Sequence, residues 1–228
     1  RTPSSPHDGG LALVSQVSSG PAPQIVAWYQ APAEATSSLR ILRVNRAGWP
    51  RSRPESQQRL TRTGGSVVEF AWDSAGRQVA LICGKERRLR VVAADGSRLW
   101  ELSDRDKLAF PCWGKDGKLT VLDRTGTAPT SEFGRLLVVD PRSRDGRPTV
   151  IPNLQCGPPV WNAASDEWLC AARDGRQWRV AGVSARGAVR PLMPPTASPL
   201  GSRVYCLHDG KQVVFFQSLR YRVPDRNP

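Results

Sequence analysis

A strand-like segment that recurs five times restricts the fold of this chain more than any other feature. The copies follow one another at intervals of roughly 40 to 50 residues. Each alternates apolar and polar positions, as a β-strand with one buried face does, and most end at a turn that contains glycine. The copies lie at 39–45, 89–95, 136–140, 178–183 and 219–225. This repeat predicts similar units that stack on one another, because one unit alone cannot bury its apolar face.

Two more types of strand precede each copy. The nearer type is apolar on both faces, which predicts a strand buried between two neighbouring sheets. These segments are 25–29, 79–83, 119–123, 167–172 and 213–217. The farther type runs into a polar hairpin turn, and its segments are 11–15, 67–73, 108–113, 159–162 and 203–207. Weaker segments with proline or charge, typical of outer strands that face water, lie at 58–62, 99–102, 149–152 and 189–192.

The hairpin turns carry a family resemblance. The sequences Trp-Asp-Ser-Ala-Gly-Arg at 72–77 and Trp-Gly-Lys-Asp-Gly-Lys at 113–118 each precede an apolar strand. With the strand order above, this pattern resembles the WD40-like repeats of TolB-type β-propellers from Leu11 to Val223. The resemblance implies an all-β fold, a β-propeller of about five four-stranded blades.

The blades are expected at roughly 11–63, 64–104, 105–153, 154–196 and 197–228, after a flexible leader at 1–10. The last unit ends after its third strand, so an incomplete propeller, or one that is part of a larger ring, stays open as an alternative. An irregular β-sandwich is the competing fold. It is disfavoured because it gives no reason for five similar units in register.

Composition limits the class of protein further. No apolar run approaches the roughly 20 residues that cross a bilayer, so no membrane-spanning segment is expected. The five cysteines contain no Cys-x-x-Cys pair, which predicts no zinc site and no cofactor. Cysteines within apolar strands favour a reducing, cytoplasmic location, while an extracytoplasmic bacterial domain stays open. Because the chain starts at Arg1, we expect a processed or excised part of a longer bacterial polypeptide.

The candidate inner strands hold few groups that could perform catalysis. Glu69 and Asp73 are their only carboxylates, and four residues of one strand separate them by roughly 13 Å, too far for a glycosidase pair. We expect Asp73 to cap a turn and Glu69 to be a solvated channel residue. His208 lies in a turn, and no nucleophile with an adjacent base is recognisable. The sequence therefore predicts no enzyme, although an accessory propeller of a hydrolase with its catalytic domain elsewhere is an alternative.

The net charge of +13 comes mostly from arginine. In a propeller the second-to-third turns lie on one rim, which assigns to it Lys85, Arg87, Arg88, Arg173 and Arg176. The opposite rim receives Arg51, Arg53, Arg77, Lys115, Lys118, Arg142, Arg144, Arg147 and Lys211, together with Asp73, Asp95, Asp116, Asp145, Asp166 and Asp209. Charge on both rims, partly neutralised, is typical of solvated turns.

These observations favour a non-catalytic binding module, a propeller scaffold for protein–protein interaction or sensing within a larger protein. The candidate contact residues are Arg142, Arg144 and Arg147, with Arg87 and Arg88 on the other rim. The alternative is binding of a polyanion such as nucleic acid through the arginine-rich turns, since a basic surface attracts phosphate backbones.

Overall fold

The computed structural model describes residues 67–93, 97–102, 104–128, 130–143, 147–207 and 210–217, and the backbone of four earlier strands. Those strands form an antiparallel sheet in the order β1 (Leu11–Val17), β2 (Gln24–Tyr29), β3 (Ser38–Arg43) and β4 (Ser56–Arg59). The predicted leader at 1–10, the predicted strand at 219–225 and the turn residue His208 lie outside the described residues.

Each later unit repeats this up-and-down order. Blade two contains β5 (Val67–Trp72), β6 (Gln78–Cys83), β7 (Arg88–Ala93) and β8 (Arg98–Leu102). Blade three contains β9 (Leu108–Trp113), β10 (Leu119–Asp123), β11 (Gly134–Val139) and β12 (Thr149–Cys156). Blade four contains β13 (Val160–Asn162), β14 (Glu167–Asp174), β15 (Gln177–Ser184) and β16 (Val189–Pro191), and β17 (Leu200–Cys206) pairs with β18 (Val213–Gln217) in blade five.

The fold is therefore an all-β propeller of antiparallel blades, as the sequence predicts. The sheets do not close into a ring over the described part of the chain, which is compatible with the alternative of an incomplete propeller. No helix among the described residues is long and apolar enough to span a membrane.

The second strands of blades two, three and four are buried on both faces, which confirms the interpretation of their continuous apolar segments. The same prediction is wrong for 213–217: Val214 and Phe216 of β18 are 44% and 67% exposed, because β17 is its one partner among the described strands. On β6, Ala80 and Ile82 pack with blade three, whereas Val79, Leu81 and Cys83 join a separate cluster on the other face. All five side chains are at most 5% exposed. Burial of apolar area contributes roughly 25 cal/mol per Å², so these two-sided strands supply much of the driving force for stacking the blades.

Blades three and four share one sheet, a feature that the sequence does not predict. The predicted outer strand at 149–152 continues to Cys156, and its last two residues pair with β14 through Gln155↔Arg173 and Cys156↔Ala172. The extension gives β12 partners on both sides near its end, since Gln155 also lies opposite Arg135 of β11. The outer strand of one blade thereby becomes continuous with the next blade.

Side-chain donors also join consecutive blades. The indole nitrogen of Trp113 donates to the carbonyl of Ala71 in blade two at 2.8 Å. The indole of Trp168 in blade four donates to the carbonyl of Cys112 in blade three at 3.2 Å. Buried Trp N–H groups need an acceptor, and here the neighbouring blade supplies it.

Candidate functional site

The strand order divides the turns between two rims. The connection rim carries the turns 84–87, 124–133 and 174–176 and the segments between blades, 104–107, 157–159 and 192–199. The hairpin rim carries the turns 73–77, 114–118, 163–166 and 185–188 and the ends of the β11–β12 connection, 140–143 and 147–148. This division places Arg87 and Arg88 on the connection rim and Arg142 and Arg147 on the hairpin rim. Arg144, the remaining candidate, lies outside the described residues.

Arg87 is engaged inside the molecule. Its guanidinium forms an ion pair with Glu69 of β5 and donates from Nε to the carbonyl of Leu108 at 3.0 Å. Both charged side chains are about one quarter exposed. Glu69 is therefore not the solvated channel residue that the sequence predicts, because an arginine from the β6–β7 turn covers it. A binding role for Arg87 stays a prediction, and Arg88 beside it is exposed.

Glu69 also accepts a hydrogen bond from a residue with a strained backbone on the inner strand of blade three. Its second carboxylate oxygen accepts a hydrogen bond from the backbone N–H of Phe110, whose φ is +55°. A bulky residue rarely adopts positive φ. Phe110 and Pro111 lie in a β-bulge opposite Val121, and the bulge aims that N–H at Glu69. The interaction fastens blade three to blade two.

Asp123, at the end of β10, gathers two arginines on the connection rim. Its side chain is 2% exposed and accepts from Arg105 at 3.0 Å and from Arg135 at 2.7 Å. Burial alone would raise the pKa of this carboxyl, but hydrogen bonds from Thr125 and the charge and hydrogen bond of Arg135 outweigh it, so the pKa lies below its ordinary value. Asp123 is therefore a buried anion at neutral pH.

Glu132 of the β10–β11 turn forms a similar contact with blade five. Arg203 of β17 donates to it at 3.0 Å, and the hydroxyl of Ser202 donates to its other oxygen. The hydrogen bonds from Arg203 and then Ser202 lower the pKa of Glu132. The Arg203 guanidinium lies 5.8 Å from the ring centroid of Phe110, a cation–π distance. Asp123 and Glu132 thus hold arginines of this rim in contacts between blades or strands.

The hairpin rim has a different balance of charge. Three of its turns meet where blades three and four adjoin. A Cβ on Gly117 would lie 3.5 Å from the guanidinium carbon of Arg142, and Lys118 donates to the carbonyl of Ala185 at 3.5 Å. A Cβ on Gly187 would lie 3.0 Å from the side chain of Ile151, at the start of β12.

The described residues of these turns include five cations, and we call this group the basic surface: Lys115, Lys118, Arg142, Arg147 and Arg186. Lys115, Arg142, Arg147 and Arg186 are exposed. The described acids within the same turns are Asp116 and Asp140, and only Asp140 forms an ion pair among the described residues, with Arg142 at 3.3 Å. Five cations face two carboxylates there, so the surface is an attractive site for an anionic partner.

Asp73 performs the role predicted for it. Its carboxylate accepts from the backbone N–H groups of Arg77 at 2.7 Å and Gln78 at 3.2 Å, and so closes the β5–β6 turn. Asn162 holds the equivalent turn of blade four by accepting from the N–H of Ala164 at 2.9 Å. Short polar side chains at this position satisfy turn amides.

Burial favours the neutral thiol form of two of the cysteines. Burial raises the pKa of Cys83 to about 11 and that of Cys112 to about 12. The five cysteines all lie in described strands and form no disulfide bond with one another. No group of three or more His, Cys, Asp or Glu side chains that could hold a metal ion occurs within the described ranges.

Comparison with known proteins supports the fold. No family model and no curated protein matches the chain. A structure from a study of two prolyl endopeptidases is 13% identical and covers 88% of this chain and 32% of its own, with a TM-score of 0.61. Dihydro-heme d1 dehydrogenase NirN in complex with DHE is 15% identical, covers 84% of this chain and 39% of its own, and has a TM-score of 0.51. At such identities the likeness shows the fold alone, and the chain spans well under half of either structure.

Proposed function

We propose that this chain is a non-catalytic binding module whose basic surface contacts an acidic segment of a protein partner. The observation that carries the proposal is the convergence of five cations from three turns of blades three and four, with two carboxylates among them. We also propose that the blades are WD40-like repeats of the TolB type, since Asp73 performs the turn-closing role that its motif implies.

The contrast between the two rims supports this choice of surface. On the connection rim, Arg87, Arg105, Arg135 and Arg203 are held by buried or partly buried carboxylates. Exposed cations of that rim such as Lys85, Arg88 and Arg176 are divided between turns of blades two and four, which are not consecutive. On the hairpin rim, Lys115, Arg147 and Arg186 have no ion-pair partner among the residues that the structure describes. Cations without an internal partner are available to an external one, and their attraction steers association.

Nucleic acid is a second candidate ligand for the same surface, favoured by the net charge of +13. The two ligands differ in what they offer besides charge. A phosphate backbone releases condensed counterions when it binds, so its affinity falls steeply with salt. An acidic peptide has a lower charge density and can add apolar contacts, so we expect a shallower salt dependence.

Fluorescence anisotropy distinguishes these cases. The full chain is titrated against labelled oligoglutamate, single-stranded DNA and duplex DNA at low and moderate salt. We expect oligoglutamate to bind, and the quadruple variant K115E/R142E/R147E/R186E to lose that binding. The matched control, K85E/R88E/R176E, reverses exposed cations of the connection rim and should retain it. Equal losses in both variants, or no binding of the peptide at low salt, contradict the proposal, and steeply salt-dependent binding of DNA alone favours the second candidate.

A further inference from the structure

One polar row crosses four strands at the connection-rim edge of blades three and four. Asp123 on β10 lies opposite Arg135 on β11, and Arg135 lies opposite Gln155 on β12. Gln155 in turn lies opposite Arg173 on β14. Residues directly paired across antiparallel strands project to the same face, with Cβ atoms about 4.5–5.5 Å apart. The side chains of Arg135 and Arg173 therefore flank Gln155 on one face, with their Cβ atoms about 10 Å apart.

Three residues of this row border a cleft of about 700 Å³. Arg135, Gln155 and Arg173 line one part of it, the segment 150–154 lines another, and Asp174 and Gly175 lie at its end. The segment 151–154 lies opposite a single residue of β11, Leu136, so it bulges away from the sheet. Asn153 in the bulge has a φ of +56°. The cleft exists because β12 leaves the register of blade three before it joins blade four.

Both arginines of the cleft are held in place by other contacts. Arg135 donates to the buried Asp123 at 2.7 Å, and its side chain is still 51% exposed. Arg173 donates from Nε to the carbonyl of Gly175 at 2.8 Å, and its guanidinium lies 5.5 Å from the ring centroid of Trp178. A guanidinium has five N–H donors, so these contacts leave others available. Arginines oriented in this way lose less conformational entropy when they bind a ligand.

The remaining lining residues indicate the chemistry of the ligand. Val150 and Pro152 provide an accessible apolar wall beside the two cations, whereas Ile151 and Leu154, which also line the cleft, are buried in the core behind it. Asp174 is the one acid among the lining residues, and it lies 3.8 Å from Arg179, which does not line the cleft. We propose that this cleft binds a small organic anion that has a carboxylate or phosphate head and a short apolar body. The head lies between Arg135 and Arg173 beside the amide of Gln155, and the body lies against the apolar wall.

Calorimetric titration of the full chain tests this site. The probes are hexyl phosphate, hexanoate, inorganic phosphate and hexanol. We expect one-to-one binding of hexyl phosphate and hexanoate, weaker binding of inorganic phosphate and none of hexanol. Arg173→Ala removes a charge-assisted hydrogen bond to the ligand, so the affinity for hexyl phosphate should fall at least about tenfold. Arg173→Lys, which keeps the charge but not the planar fork, should lose affinity as well.

The matched control is Arg176→Ala, since Arg176 is exposed on the same hairpin but does not line the cleft. It should bind hexyl phosphate as the natural chain does. Equal losses in Arg176→Ala and Arg173→Ala, equal affinity for inorganic phosphate and hexyl phosphate, or no binding of hexyl phosphate would each overturn the proposal. The quadruple variant of the basic surface should bind hexyl phosphate normally, so this site and the protein-binding surface can fail independently.

Discussion

Asp123 is a buried carboxylate that holds two arginines of the connection rim. A carboxylate that is 2% exposed needs compensating partners, and it has Arg105, Arg135 and the backbone N–H of Thr125. Asp123→Asn removes the charge that faces both guanidiniums. We expect the free energy of unfolding at neutral pH to fall by about 2 kcal/mol, because two partly exposed arginines lose a charged acceptor. Urea unfolding of the two chains measures the difference.

The acid dependence of stability gives this prediction a second measurement. The pKa of Asp123 lies below its ordinary value of 3.8, so its contribution is present above that pH and is lost as the pH falls through the lower, folded-state value. The stability difference between the natural chain and Asp123→Asn should therefore shrink on acidification. The control Asp116→Asn changes an exposed turn residue and should alter stability by less than about 0.5 kcal/mol at any pH. A difference that stays constant down to strongly acidic pH contradicts the assigned role.

At the scale of single elements, Gly157 shows how tightly consecutive blades approach. A Cβ at this position, between β12 and β13, would overlap the carbonyl oxygen of Ser202 on β17. That oxygen belongs to the backbone and cannot move aside without displacing the strand. We expect Gly157→Ala to lower the free energy of unfolding by about 2–3 kcal/mol, measured by urea unfolding, because overpacking of this kind forces backbone shifts.

The control for Gly157→Ala is a glycine with open space around it. A methyl group added at Gly126 would have no neighbouring atom within 4 Å, but the φ of Gly126 is +78°. Gly126→Ala should therefore cost only the strain of the left-handed conformation, about 1 kcal/mol. If the two variants are equally stable, the close contact with Ser202 is not what limits position 157.

The strands with two buried faces could be predicted from the sequence almost to the residue. The segment 119–123 coincides with β10 and 79–83 differs from β6 by one residue, because an uninterrupted apolar run leaves little choice of environment. The end of β12 could not be predicted, since Pro152 and Asn153 are typical of a strand that has ended. Only the pairing with β14 continues it to Cys156.

The candidate site also has parts that could be predicted from the sequence and parts that could not. Asp73 was predictable as a turn residue because its partners lie four and five residues away along the chain. The partners of Glu69 and the row from Asp123 to Arg173 depend on which strands become neighbours and in what register. Glu69 contacts residues that lie 18 and 41 positions further along the chain, and no local sequence pattern predicts contacts over such separations. The meeting of three turns at the basic surface depends equally on the stacking of whole blades.

At the scale of the whole molecule, Asn162 joins blade four to blade five. It is 4% exposed, and its amide donates to the carbonyl of Gly210 at 2.8 Å. Asn162→Ala leaves that carbonyl and the N–H of Ala164 without this partner, which should cost about 2 kcal/mol. Because blade five has only two described strands, we expect the cost to appear locally, as faster amide hydrogen exchange in β17 and β18 by roughly tenfold or more.

Hydrogen exchange resolved by segment distinguishes a local effect from a global one. Blade two makes none of the contacts of Asn162, so β5 to β8 should keep their exchange rates in Asn162→Ala. The exposed amide Gln177 provides the matched control, and Gln177→Ala should leave both regions unchanged. Equal acceleration in blade two and blade five would mean that the propeller opens as one cooperative unit. Faster exchange in blade five alone would mean that blade five can separate from blade four while the preceding blades stay folded.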